Sequence, residues 1–145
     1  MSNLQCFIDA HRDTYPAALE EIRSGRKRSH WMWFIFPQIK GLGRSETARF
    51  YAIDNLQEAQ AYLEHPLLGK HLLEISEALL GIEGKSAHEI FGSPDDLKLR
   101  SSMTLFAAAS PHHHVFQKIL HKFFDTPDLR TLEILKEMNH DSRND

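Results

Sequence analysis

Apolar residues along this 145-residue chain recur at steps of three and four, not two. Leu68, Leu72, Ile75, Leu79 and Ile82 follow that spacing, as do Val115, Ile119 and Phe123, and both sets are stripes that face a core. Leu99, Met103 and Phe106 form a third. Helix punctuation frames these stripes. Asn3 can cap a first helix to about Asp13, and Pro16 opens a second that stops near Gly25. Ser29 can cap a short apolar helix from His30 to Phe36, which Pro37 ends. Ser45 starts another with Glu46 in its first turn, and Asp54 a further one through Glu64. Pro66 sits at the first position of a segment running to Leu80, where Gly81 and Gly84 break it. Ser86 to Phe91 is a short helix stopped by Gly92. Ser93-Pro94-Asp95-Asp96 is the strongest start, with a capping serine, a first-turn proline and two acids at the positive end of the dipole. Ser110-Pro111 precedes a helix from His112 to Phe124, and Thr126-Pro127-Asp128 one from Leu129 to Met138. Alternating strand patterns are almost missing. The run Trp31 to Ile35 alone reads equally as a buried strand, because periodicity cannot type short apolar runs. The pattern predicts an all-α single domain over residues 1–138, with seven or eight mostly short helices in an irregular or superhelical orthogonal stack. Residues 139–145 form a polar tail, expected to fray.

Composition sets the class. A domain of this size buries enough surface to fold without disulfides or a structural metal. The single cysteine, Cys6, excludes an intrachain disulfide and fits a reducing cytosol. No stretch approaches the length of a bilayer span, and the charged N-terminus does not resemble a signal peptide, so the expectation is a cytoplasmic monomer away from membranes. The net charge of −3 argues against a dedicated nucleic-acid binder. That average hides a segment from Ile22 to Phe50 in which seven cations face Glu46 alone, +6 in total, so the rest of the chain carries −9. Such a pattern suits a locally met anion, or else a solvated basic surface balanced by acidic helices.

Two segments carry candidate chemistry. In the first, Arg26-Lys27-Arg28-Ser29 leads into His30-Trp31-Met32-Trp33-Phe34-Ile35-Phe36-Pro37-Gln38. A helix apolar all round is chiefly core. At a pocket's lip, however, His30 can act as acid, base or donor, Trp31 or Trp33 can stack on a planar ligand, and Arg28 or Arg44 can hold an anion. Gly41-Leu42-Gly43-Arg44-Ser45 can present backbone N–H groups, yet it lacks the ending of a phosphate-binding loop and reads more simply as a turn. In the second segment, Asp95, Lys98 and Ser102 share one helical face. They can orient a polar ligand, or be a capping acid, an ion pair and a serine bonded to a backbone carbonyl. No metal site is expected, since consecutive His112, His113 and His114 diverge on a helix. Cys6 reads as a buried structural thiol.

The motif from His30 to Gln38, with Gly43-Arg44-Ser45, Tyr51-Ala52-Ile53, the segment Ala61 to Gly69 and the segment Lys98 to Phe106, resembles the bacterial domain-of-unknown-function family 1810, whose members often carry the label calpastatin. The resemblance spans about Phe7 to Leu135 and implies a small, mainly helical cytosolic protein. It brings no activity with it, and nothing in the composition supports the calpastatin label. Two positions depart from the family pattern. His71 stands near a usual arginine, which removes a permanent cation from any anion site there, and Asp125 stands where a glycine usually follows the aromatic pair Phe123-Phe124.

The reading that best unites these features is binding of a small anionic planar ligand, nucleotide-like, in a basic and aromatic pocket without a cofactor. Arg28, His30, Trp31, Trp33, Gln38, Arg44, Ser45, Tyr51, Lys98 and Ser102 would line it. If the site is catalytic, His30 with Asp95 or Asp96 is the acid–base pair for metal-independent hydrolysis or group transfer. The alternative is a helical adaptor that binds another protein through a groove between helices.

Overall fold

The computed structural model describes residues 4–144, and nine helices form among the described residues. They are α1 (Gln5–Arg23), α2 (Met32–Ile35), α3 (Glu46–Phe50), α4 (Leu56–Glu64), α5 (Leu68–Leu80), α6 (Ala87–Phe91), α7 (Asp95–Ala109), α8 (Val115–Phe123) and α9 (Leu129–Asn144). Among the described residues no strand forms, and the run after Trp31 is helical; Ile39 and Ile53 make one isolated parallel bridge. The fold is all-α, as the spacing predicts. The capping role read for Asn3 lies outside the described residues.

The stripes fill the core. Leu68, Leu72, Ile75 and Leu79 on α5 are fully buried, and α5 packs against α1, α4 and α8. Each such side chain contributes roughly 1.5–3 kcal/mol of transfer free energy. Around this centre α7 packs against α4, α6, α8 and α9, with Leu99, Met103 and Phe106 at zero exposure. Gly69 lets α4 and α5 approach closely, since a Cβ there would lie 1.9 Å from the Leu63 carbonyl oxygen.

Several helix starts differ from the sequence reading. Pro16 does not open a second helix but lies inside α1. Phe7, His11, Tyr15, Ala18 and Ile22 make one continuous buried stripe along α1, and the hydrogen bond that Pro16 forfeits falls on its exposed face. Tertiary burial therefore outweighs the local break. Ser29 does not cap α2, because its hydroxyl is engaged by Glu21 and the helix begins at Met32. Asn55, not Asp54, caps α4 by accepting the Glu58 N–H at 2.8 Å. His65 caps the start of α5, its Nδ1 accepting the N–H groups of Leu67 and Leu68 at 3.1 and 3.3 Å. Ser93 does not cap α7, which starts behind Pro94 with Asp95 and Asp96 in its first turn as expected. Asp128 rather than Thr126 caps α9, accepting the Thr131 N–H at 3.0 Å. The last helix runs past Met138 to Asn144. Ser45 starts α3 as read, accepting the Ala48 N–H, and Ser86 caps α6 in a reciprocal capping box with Glu89.

Candidate functional site

The tryptophan segment is organised by a residue outside it. Glu21, 8% exposed near the end of α1, accepts the N–H groups of Arg28 and Ser29 at 2.6 and 2.9 Å, the Ser29 hydroxyl at 2.6 Å and the Trp31 indole N–H at 2.9 Å. Burial alone would raise this carboxyl, but the donors from Ser29, Arg28 and Trp31 outweigh it and hold the group at about 2. Glu21 thus fixes the loop from α1 into α2 as a charged peg. Trp31 is fully buried and cannot stack on a ligand.

Lys27 connects that loop to α7. Its ammonium lies 2.9 Å from Asp95 Oδ2 and 5.0 Å from the Trp31 ring centroid, and it donates to the Ser29 carbonyl at 2.6 Å. Lys98 reaches Asp95 Oδ1 at 3.6 Å and covers the half-buried Trp33 at 5.5 Å. Asp95 therefore sits between two lysines, each over a tryptophan. Beside this chain a groove of about 420 Å³ is lined by Arg26, Lys27, Lys85, His88, Glu89, Ile90, Phe91 and Gly92. Three of these residues, Arg26, Lys27 and Lys85, are cations and one, Glu89, is an acid. Lys85 donates to the Gly25 carbonyl at 3.0 Å, which pins the floor, and also lines an adjoining groove of about 630 Å³ with Arg23, Glu74 and Glu77. His88 Nδ1 lies 3.4 Å from Asp96 Oδ2.

The residues singled out in the sequence fall into several places. Trp33, Lys98 and Asp95 come together. Arg28 and His30 are exposed on the loop before α2, while Asp95 and Asp96 make their contacts with lysines and with His88. Arg44 is exposed and Ser45 caps α3. Gln38 engages its backbone carbonyl with the Ile53 N–H, and Tyr51 packs on Phe7, Phe34 and Phe50. Ser102 is fully buried with no hydrogen-bond partner for its hydroxyl, so the expected bond to a backbone carbonyl is not formed. Ser101 makes such a bond instead, to the Leu97 carbonyl at 3.2 Å. Among the described residues no three of His, Cys, Asp and Glu are arranged to hold a metal ion. His112 and His113 flank the Ser110 hydroxyl at 3.2 and 2.6 Å in a turn rather than on a helix. Burial pushes the half-buried Cys6 thiol up, away from the thiolate a nucleophile needs.

Lys85 and His88 escaped the sequence reading because neither belongs to a dense basic run. Of a second cluster the sequence reading touched only His71. His11, 1% exposed on α1, places Nδ1 3.0 Å from Nδ1 of His71 on α5, and Nε2 2.9 Å from both the Phe34 carbonyl oxygen and the Tyr62 hydroxyl. Tyr62 donates to the same carbonyl at 3.0 Å. The Tyr15 ring stacks on His71, centroids 3.6 Å apart, and its hydroxyl donates to Glu74 at 2.6 Å. Burial drives His11 down to about 4, against the Phe34 bond that favours its charged form. The partners come from four helices far apart in sequence, so no local signal announces them.

No helix among the described residues is long and apolar enough to cross a membrane. The chain matches no curated protein. It is similar to the crystal structure of the conserved hypothetical protein Rv1873 from Mycobacterium tuberculosis, with 49% identity over 92% of this chain and 96% of that one and a TM-score of 0.90. The model of a protein of unknown function, DUF1810, matches residues 1–135, and the chain belongs to that family.

Proposed function

We propose that this chain is a cytosolic protein that binds a small anionic ligand, nucleotide-like, in the groove between Arg26 and His88. One observation carries the reading: Arg26, Lys27, Lys85 and His88 converge on a cavity of about 420 Å³ in which Glu89 is the opposing carboxylate. A chain of net charge −3 concentrates cations there, where they attract an anion and orient it. The Lys27–Asp95–Lys98 chain links the groove to Trp33, which supplies the planar surface that Trp31 cannot. If the bound ligand reacts, the acid–base pair at the groove is His88 with Asp96 rather than His30 with either acid.

The adaptor reading has one observation of its own. Leu132 on α9, 39% exposed, lines two open grooves of about 820 and 360 Å³.

A thermal-shift titration with inorganic phosphate, pyrophosphate and nucleoside phosphates tests the anion site. Ligand at about 100 times its dissociation constant should stabilise by about 2.7 kcal/mol. The shift should vanish in Arg26→Ala combined with His88→Ala, both exposed substitutions that leave the core intact. A flat response to every anion, or a shift unchanged in the double variant, removes the groove as the site and moves the weight to α9.

A further inference from the structure

The polar junction around His11 makes a demand on protons that can be counted. The Phe34 carbonyl only accepts, and Tyr62 already donates to it, so His11 Nε2 must carry a hydrogen to lie 2.9 Å from that oxygen. Neutral His11 then has a bare Nδ1. The facing Nδ1 of His71, 3.0 Å away in a ring parallel to within 3°, must supply the hydrogen between them. In the neutral pair His71 is therefore the Nδ1–H tautomer, with its Nε2 bare.

We propose that His11 and His71 form a proton-counting latch that clamps the tryptophan helix α2 to α1, α4 and α5, shut with no or one extra proton on the pair and opened by a second. One extra proton leaves the contact whole. It rests either on His71, which still donates to His11, or on His11, which then donates to a bare His71 Nδ1, so one hydrogen always lies between the rings. A second extra proton puts N–H against N–H, with two positive charges side by side. The pair must then separate, and half-exposed His71 is the member free to turn outward.

The surroundings set where this happens. From α1, Tyr15 stacks over His71 and Cys6 acts on Tyr62 through space. Tyr62 closes the α4 side, and α2 offers only the Phe34 carbonyl. His65, at the start of α5, opposes a charge on His11, and Lys70 opposes one on His71, whereas Glu74 favours the first proton there. Burial works against charge on both rings. The two steps belong to the pair and lie in the acid range, the second below the first. Opening removes the His71 partner and leaves a charged, buried His11 against the Phe34 carbonyl, one residue from Trp33.

The experiment is an imidazole nitrogen NMR titration of the full chain from neutral to acid pH, with tryptophan fluorescence alongside, repeated on His71→Gln. At neutral pH His71 should show Nδ1–H and His11 Nε2–H. The fluorescence and the α2 amide shifts should hold through the first proton and change with the second. In His71→Gln that change should be lost, because a side-chain amide turns end for end, donating to neutral His11 and accepting from protonated His11. A neutral His71 protonated at Nε2, a change that accompanies the first proton, or an acid change identical in His71→Gln would each overturn the latch. Should the variant fail to fold, the tautomers of the unaltered chain decide alone.

Discussion

Helix α1 buries two polar side chains and treats them in opposite ways. Glu21, 8% exposed, keeps its charge to about pH 2, while His11, 1% exposed, gives its charge up until about pH 4. Burial opposes ionisation at both positions, so burial cannot be the difference. What differs is the company. Glu21 meets only donors, from Arg28, Ser29 and Trp31, and each stabilises a carboxylate. His11 meets one carbonyl that wants its hydrogen and a second imidazole with which it must share another. A buried group thus takes the charge that completes its hydrogen bonds, and the same helix carries a fixed anion toward one end and a neutral, proton-linked junction toward the other.

The sharpest way to break the contrast is Glu21→Ala. It leaves the buried Trp31 indole N–H and the Arg28 and Ser29 N–H groups without their acceptor, and we expect a loss of about 3–5 kcal/mol by chemical denaturation. Glu21→Gln should recover part of this, because one carbonyl oxygen still accepts. A loss below about 1 kcal/mol would mean that water replaces the carboxylate at little cost.

Next in size is the dependence of stability on pH, which should show both ends of α1 in separate windows. His11 has its folded value lowered from 6.5 to about 4, so the unfolded chain binds more protons between those limits. Stability present above pH 6.5 is therefore lost as pH falls toward 4, by up to about 3 kcal/mol. Glu21 is lowered from 4.5 to about 2, so its contribution persists to pH 4.5 and disappears only below it. Denaturation at pH 7, 5 and 3.5 separates the two. His11→Gln should shrink the upper window, which His71 shares through its own burial, and leave the lower one; a profile unchanged by that substitution would remove His11 as a source.

What the sequence revealed divides along the same line. Stripes such as Leu68, Leu72, Ile75 and Leu79, and helix starts such as Ser45 and Ser86, were legible because the interactions that fix them span three or four residues. The continuity of α1 was not, because the local rule for Pro16 competes with a buried stripe whose members His11 and Tyr15 read as polar. Within the candidate site, the basic triplet at Arg26, Lys27 and Arg28 and the Asp95–Lys98 pair were visible as short-range patterns. The Glu21 peg is separated from Trp31 by a helix end and a loop. Lys85 reaches Gly25, and His71 reaches His11, across 60 positions of chain. Contacts of that range are set by how helices pack, and one chain's residue pattern does not encode them locally.

The smallest prediction concerns a position that the family resemblance set apart. Asp125 stands where the family pattern has a glycine, and among the described residues it is the non-glycine residue with positive φ, at 68°. It follows the end of α8, its N–H bonding the Leu120 carbonyl at 2.9 Å, in the left-handed turn that closes a helix. A Cβ in that region costs roughly 1–2 kcal/mol, less for aspartate than for most residues, and glycine avoids it while losing more chain entropy on folding. Asp125→Gly should therefore raise stability by about 0.5–1 kcal/mol, roughly 2–4 °C per kcal/mol for a chain of this size. Its side chain is exposed, so the gain resides in the backbone and not in a buried polar group. It should consequently be equal at pH 7 and pH 5, where the His11 contribution is not. A gain that shrinks with acid would show that the turn after α8 communicates with the histidine junction, and the two ends of α1 would no longer be the whole of the pH response.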